Sequence, residues 1–133
     1  PMNRDEGRAM MDYEEGRRIE GEFILSWDAV ERFYQPGNAD DIDIAVFDFI
    51  AVLRHAGYDR SLRAGHSMWT LMLSRSRRHR LRHTQSRISF DFYETFMEVR
   101  ACISEDIRLT GVPIALTPSI TRLLNQLAGE EID

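Results

Sequence analysis

Residues 74–87, reading SRSRRHRLRHTQSR, concentrate the reactive side chains of this chain. They hold six arginines (Arg75, Arg77, Arg78, Arg80, Arg82 and Arg87), two histidines and no acid. A guanidinium fork matches the paired oxygens of carboxylates and phosphates, so such a cluster suits a surface that grips anionic groups. These six arginines are the predicted partner-binding residues. On nucleic acid, each phosphate contact would add salt-sensitive affinity, and Trp69 or Tyr93 would stack bases. Against that stands an acidic chain, where dedicated nucleic-acid domains are usually basic. No recognition-helix or RNP-type pattern accompanies the arginines.

The remaining candidates are weaker. His79 and His83 are four apart, which on a helix would place both on one metal. Arginines surround them and no carboxylate is local, so no metal site is predicted. Asp91, Glu94 and Glu98 gather carboxylates near one hairpin. Paired-carboxyl hydrolysis needs two such groups across a cleft roughly 5–10 Å wide. Cross-strand pairing with Arg87 or Arg100 is the simpler role. Cys102 is the single cysteine, which excludes an internal disulfide, and it reads as a small half-buried side chain. No G-x-S-x-G elbow, phosphate-binding glycine loop, zincin helix or dinucleotide fingerprint occurs. The sequence therefore points away from an enzyme, and no cofactor is predicted.

Length and composition set the frame for these residues. The 133 residues, 43% hydrophobic and 29% charged, fit one soluble domain with a core that needs no staples. The net charge of −5 is unevenly spread. The 74–87 stretch carries six of the 17 basic residues and none of the 22 acids, so the remainder is strongly acidic. Every basic residue is arginine. No apolar run approaches membrane-spanning length. The N-terminal stretch lacks the apolar core of a secretory leader, and a cytoplasmic location is expected.

The elements that must position these side chains follow from periodicity. Three runs within 67–103 alternate apolar and polar residues, the period of a strand with one buried face. Residues 68–73 put Trp69, Leu71 and Leu73 on one side. Residues 88–92 put Ile88, Phe90 and Phe92 together. Residues 97–103 set Met97, Val99, Ala101 and Ile103 against Glu98, Arg100 and Cys102. A helical wheel over 88–103 scatters its apolar residues, so the strand pattern wins. Tyr93, Glu94, Thr95 and Phe96 then form a hairpin turn, although Gly and Asn are missing. The arginine stretch becomes a charged excursion between the first two of these strands. Residues 107–116 alternate too, but Pro113 restricts them to an edge strand or arm.

Helices frame these strands. Residues 1–22 mix charges with glycines and are expected to be a mobile or loosely docked N-terminal segment. Ser26 is a candidate N-cap for a short helix presenting Trp27, Val30, Phe33 and Tyr34. Gln35, Pro36, Gly37 and Asn38 stop it. A second helix, capped by Asn38 or Asp40, presents Ile42, Ala45, Val46, Phe49, Ile50, Leu53 and Ala56, and Gly57 ends it in the left-handed region. A closing helix has Thr117 as N-cap and Pro118 at its first position. It buries Ile120, Leu123, Leu124 and Leu127 and ends at Gly129. The fold class is α+β: an antiparallel meander of about four strands (67–116) against an N-terminal helix pair and a C-terminal helix, with 23–133 as a single domain.

Together these features predict a small regulatory protein that works by binding another protein, with the arginine-rich loop as its surface. Self-association is a related expectation, since the acidic body of one copy would receive the loop of another. Two rivals remain. One is a nucleic-acid-binding regulator using 75–87. The other is a small enzyme or ligand-binding domain with a pocket between the sheet and the 40–56 helix, near Trp69, Phe90 and Tyr93.

Overall fold

A computed structural model of the chain describes residues 4–36, 41–77 and 84–132. Its elements are α1 (Arg4–Phe33), α2 (Asp41–His55), α3 (Tyr58–Ser61), β1 (Arg63–Ser67), β2 (Thr70–Ser74), β3 (Arg87–Phe92), β4 (Met97–Cys102), β5 (Asp106–Val112) and α4 (Pro118–Ala128). The five strands form one antiparallel sheet in sequence order, β1-β2-β3-β4-β5. This is the expected α+β meander with an N-terminal helix pair and a C-terminal helix. Among the described residues, no helix is long and apolar enough to cross a membrane.

The alternating pattern sets the two faces of the sheet. Leu71 pairs with Phe90 and Phe90 with Val99, while Leu73 pairs with Ile88 and Ile88 with Ala101. All six are buried, and they form the floor of the core. The opposite rows hold Ser89 beside Arg100 and Asp91 beside Glu98, with Arg87 beside Cys102. The less buried face thus carries Ser89, Asp91, Glu98, Arg100 and Cys102, as the alternation predicts. Helix α2 lies on the core side, where the Phe49 ring stands edge-on to Phe90 at 5.5 Å and to Phe92 at 6.1 Å. Helix α4 adds Ile120, Leu123, Leu124 and Leu127 to the same core. The Thr117 hydroxyl caps it by accepting from the Ile120 N–H at 3.3 Å.

The structure differs from the sequence expectations in three places. Helix α1 begins at Arg4, not after Ser26. The three glycines inside it, each costing helix stability of about 1 kcal/mol, are outweighed by one buried stripe of Ile19, Phe23, Trp27, Val30 and Tyr34. Residues 1–22, expected as a mobile or loosely docked segment, share this helix from Arg4 onward; side chains 12–18 are exposed and Ile19 is buried. Ser26 caps nothing; its hydroxyl donates to the Phe23 carbonyl and accepts from the Ala64 N–H at 2.9 Å. Second, 63–67 is a fifth strand. It carries Gly65 and buries only Ala64, so it shows almost no alternation. Third, Trp69 lies outside β2 in the β1–β2 turn and is 65% exposed. Gly129 closes α4 as expected, with right-handed backbone (φ −82°), Gly129 and Glu130 donating back to the last turn. Gly57 does take the left-handed conformation, at φ 92°.

Helix α1 is seated on β1 by a specific bond. The Trp27 indole N–H donates to the Leu62 carbonyl at 2.8 Å, and both residues are fully buried. Arg54 then ties three helices together, reaching Asp28 at 2.9 Å, Glu31 at 2.8 Å and Asp59 at 3.2 Å. Burial alone would lower the Arg54 guanidinium, but its bonds to Asp28 and Asp59 and the charges of Glu31 and Asp28 raise it above the ordinary value.

Trp27→Phe keeps most of the apolar contact but strands the Leu62 carbonyl in the core. It should cost about 1–3 kcal/mol, the penalty of a buried acceptor left unpaired. Urea unfolding of the two proteins measures the difference, and an unchanged midpoint would show that the bond does not hold α1 in place.

Candidate functional site

The six predicted arginines do not share one environment. Arg78, Arg80 and Arg82 lie outside the described residues, as do His79 and His83. Arg75 turns back into the fold: its Nε donates to the Glu130 carbonyl and a terminal nitrogen to the Ser61 carbonyl, both at 2.8 Å. Burial lowers its guanidinium below the ordinary arginine value. Arg77 pairs with Glu15 of α1 at 2.7 Å and lies 3.9 Å from Glu22. The backbone of the same stretch is clamped by Arg63, which donates to the carbonyls of Ser76 at 2.6 Å and Arg77 at 2.7 Å. Arg87 stands on the less buried sheet face, opposite Cys102. A cavity of about 450 Å³ opens beside Arg75, Gln85 and Glu130. Among the described residues of its lining, the cation is Arg75, which already serves two backbone carbonyls.

The other candidates are dispersed. Asp91 accepts a hydrogen bond from the Thr70 hydroxyl and faces Glu98 directly across the β3–β4 ladder. Glu94 lies exposed in the turn beyond. The Cys102 thiol is pushed up by burial and by a hydrogen bond and charge from Asp106, which outweigh Arg87 and Arg100. It therefore holds its proton, the inert form. Among the described residues, no group of three or more His, Cys, Asp or Glu is placed to hold a metal ion.

The strongest surface feature is at the opposite end of the sheet from the arginine stretch, where the β1–β2 and β3–β4 turns lie together. Ser67 pairs with Thr70, so Met68 and Trp69 are the whole of a two-residue hairpin loop. Such loops favour Asn or Gly because they demand positive φ. Here Met68 adopts φ 55°, the one non-glycine residue with positive φ among those described. It is 83% exposed. A bulky side chain held in this region carries backbone strain. In the neighbouring turn the Tyr93 and Phe96 rings stack at 4.9 Å, and both are exposed. The exposed Phe33 ring, at the end of α1, lies 5.5 Å from Trp69 and stacks on His66 at 3.6 Å.

Behind the Met68 loop is a cavity of about 230 Å³ lined by Tyr34, Asp43, Val46, Trp69 and Phe92. It lies between α2 and the sheet, with Phe92 lining it where the sequence suggested Phe90 and Tyr93. Tyr34 sets the corner. Its ring is 6.4 Å from Trp69 at 59° and 6.0 Å from Phe92 at 79°. Its hydroxyl donates to the Trp69 carbonyl at 2.9 Å, which anchors the strained loop to α1. Burial, helped by the Asp91 charge, raises the Tyr34 phenol well above the ordinary tyrosine value. The sequence offered one sign of this site, the aromatic pair Phe33-Tyr34 ending a helix just before Gln35-Pro36. Nothing in the local pattern marked Met68-Trp69 as a turn.

A phenol raised on folding leaves the native state holding a proton that the unfolded chain releases above about pH 10. Stability is thus full below that pH and falls as pH rises toward the folded value. Tyr58, raised by burial, acts in the same direction. Tyr34→Phe should therefore flatten the alkaline loss of stability only in part, read as urea midpoints from about pH 9 to about pH 11.5. Superimposable pH profiles would mean that Tyr34 is not the buried phenol responsible. No protein-family model, no curated protein and no solved structure matches this chain, so its function must be sought in these residues themselves.

Proposed function

We propose that this is a non-catalytic binding protein that docks a partner protein on the aromatic end of its sheet. The observation that carries this is the Met68-Trp69 loop: two large apolar side chains, 83% and 65% exposed, on a backbone that strains to present them. Folding alone would favour Gly or Asn at the Met68 position. A strained and exposed pair is the signature of a residue kept for something other than stability. Trp and Tyr are the side chains over-represented among interface residues that dominate affinity. Met adapts its shape to an irregular partner surface. Phe33, Tyr93 and Phe96 extend the same patch.

This moves the contact away from the arginine stretch. Arg75 and Arg77 are engaged with the chain's own carbonyls and carboxylates. Releasing Arg75 for a partner would strip two backbone carbonyls of their guanidinium donor. Arg87, together with Arg100 and Arg108 on the less buried sheet face, remains as a secondary contact that would steer the encounter.

The double variant Met68→Asn/Trp69→Thr tests the proposal. It fits the turn better than the native pair, so the melting temperature should hold or rise. A partner recovered with a photo-crosslinker placed at Tyr93 is purified and its affinity measured. The double variant should bind it at least about tenfold more weakly, a loss of roughly 1.4 kcal/mol typical of an interface anchor. Undiminished affinity, or crosslinks that map elsewhere, would overturn the assignment. A nucleic acid recovered instead of a protein would overturn it as well.

A further inference from the structure

We propose that the cavity behind the Met68 loop receives a basic side chain of the docked partner, an arginine or lysine, with Asp43 as its counter-ion. This rests on the docking assignment above and names what is recognised. Among the described residues the lining is three aromatic rings, one aliphatic side chain and one carboxylate, with no cation. The Tyr34 hydroxyl is committed to the Trp69 carbonyl. The neutral Trp69 indole N–H is then the one side-chain donor the described lining can offer, and an anion there would meet the Asp43 charge.

An uncharged apolar ligand would fill the space but bury Asp43 without a partner, which is costly. A basic side chain satisfies both parts of the lining. Its methylene stem lies on Val46 and the rings, and its charged head meets the ring faces and Asp43. The geometry suits this. The Trp69 and Phe92 rings lie 6.4 Å and 6.0 Å from Tyr34 and stand at 59° and 79° to it. A cation in that corner comes within the roughly 6 Å over which a ring face attracts a positive charge. The cavity, about 230 Å³, has room for about seven waters at their liquid volume, space enough for one extended side chain.

The test uses the intact chain and two small probes of one shape, acetyl-arginine amide and acetyl-citrulline amide, the second uncharged. Binding is followed by the two tryptophan indole N–H signals in proton–nitrogen correlation spectra. Trp27 is fully buried and bonded to Leu62, so its signal serves as the internal reference. The arginine probe should shift the Trp69 signal saturably in the millimolar range and leave Trp27 in place. The citrulline probe should need about tenfold more, the difference a cation–π contact plus a counter-ion supplies. Asp43→Asn should weaken the arginine probe by about fivefold or more. Equal response to the two probes, or no saturable Trp69 shift, would overturn the proposal. So would a purified partner that binds the Asp43→Asn protein undiminished while losing the Met68→Asn/Trp69→Thr protein. In that last case the docking surface stands and only the basic-side-chain pocket falls.

Discussion

The hydrogen bond from the Trp27 indole to the Leu62 carbonyl, with the Ser26 hydroxyl on the Ala64 N–H beside it, fixes the first strand of the sheet. An edge strand exposes a row of unpaired backbone groups that compete for water or for other chains. Strand β1 is paired along one edge by β2 but adds little burial of its own, since it buries one alanine and contains Gly65. Helix α1 supplies the missing partners from its side chains and covers that edge. With β1 fixed, the ladder from Arg63↔Ser74 to Ser67↔Thr70 leaves exactly two residues for the turn. The unusual loop at Met68-Trp69 is thus a consequence of where α1 docks. The strong alternation of β2, β3 and β4 then carries the register across to β5.

The two ends of the sheet have opposite chemistry. At one end, the stretch after β2 is bound to the body: Arg63 clamps its backbone, Arg75 reaches Ser61 and Glu130, and Arg77 reaches Glu15. These bonds join α1, the α3–β1 connection and the segment after α4. At Arg75 and Arg77 the charge asymmetry visible in the sequence is thus consumed as internal cross-links. Exposed ion pairs contribute little each, but Arg75 is partly buried and holds two backbone carbonyls from distant segments. The other end has the reverse character. Its apolar rings are left in water, with one anchoring hydrogen bond and one carboxylate behind them.

What could be seen in the sequence was whatever a period or a cap controls. The alternation of 88–92 and 97–102 gave the faces of β3 and β4 residue by residue, and Thr117-Pro118 marked the start of α4. The Val46, Phe49, Ile50 and Leu53 stripe likewise marked α2. What escaped depends on contacts between distant segments. Three glycines in the first 22 residues argued against a helix, and only packing of Ile19 and Phe23 reverses that. Strand β1 exists because α1 and β2 flank it. Trp69 looked like the first member of a buried row with Leu71 and Leu73, because alternation cannot tell a strand residue from the turn residue before it. The same error hid the candidate site: its walls come from residues 34, 43, 46, 69 and 92, which only the fold brings together.

Strain at Met68 would be a plain defect if the loop were loose, since a free hairpin could relax by fraying. It is not loose. Tyr34 reaches from the end of α1 to hold the Trp69 carbonyl, and the hydroxyl of Thr70, the first residue of β2, donates to Asp91 near the end of β3. The loop is therefore pinned from behind on both sides while its side chains stay outside. A single strained residue costs of order 1–3 kcal/mol, against a total stability of about 5–15 kcal/mol for a domain of this kind. That is a substantial fraction to give up for two exposed side chains. The return is rigidity: an aromatic anchor held in place by its own backbone loses less conformational freedom when a partner closes over it. Pinning, strain and exposure at one loop are each unremarkable alone. Together they describe a surface shaped before its partner arrives.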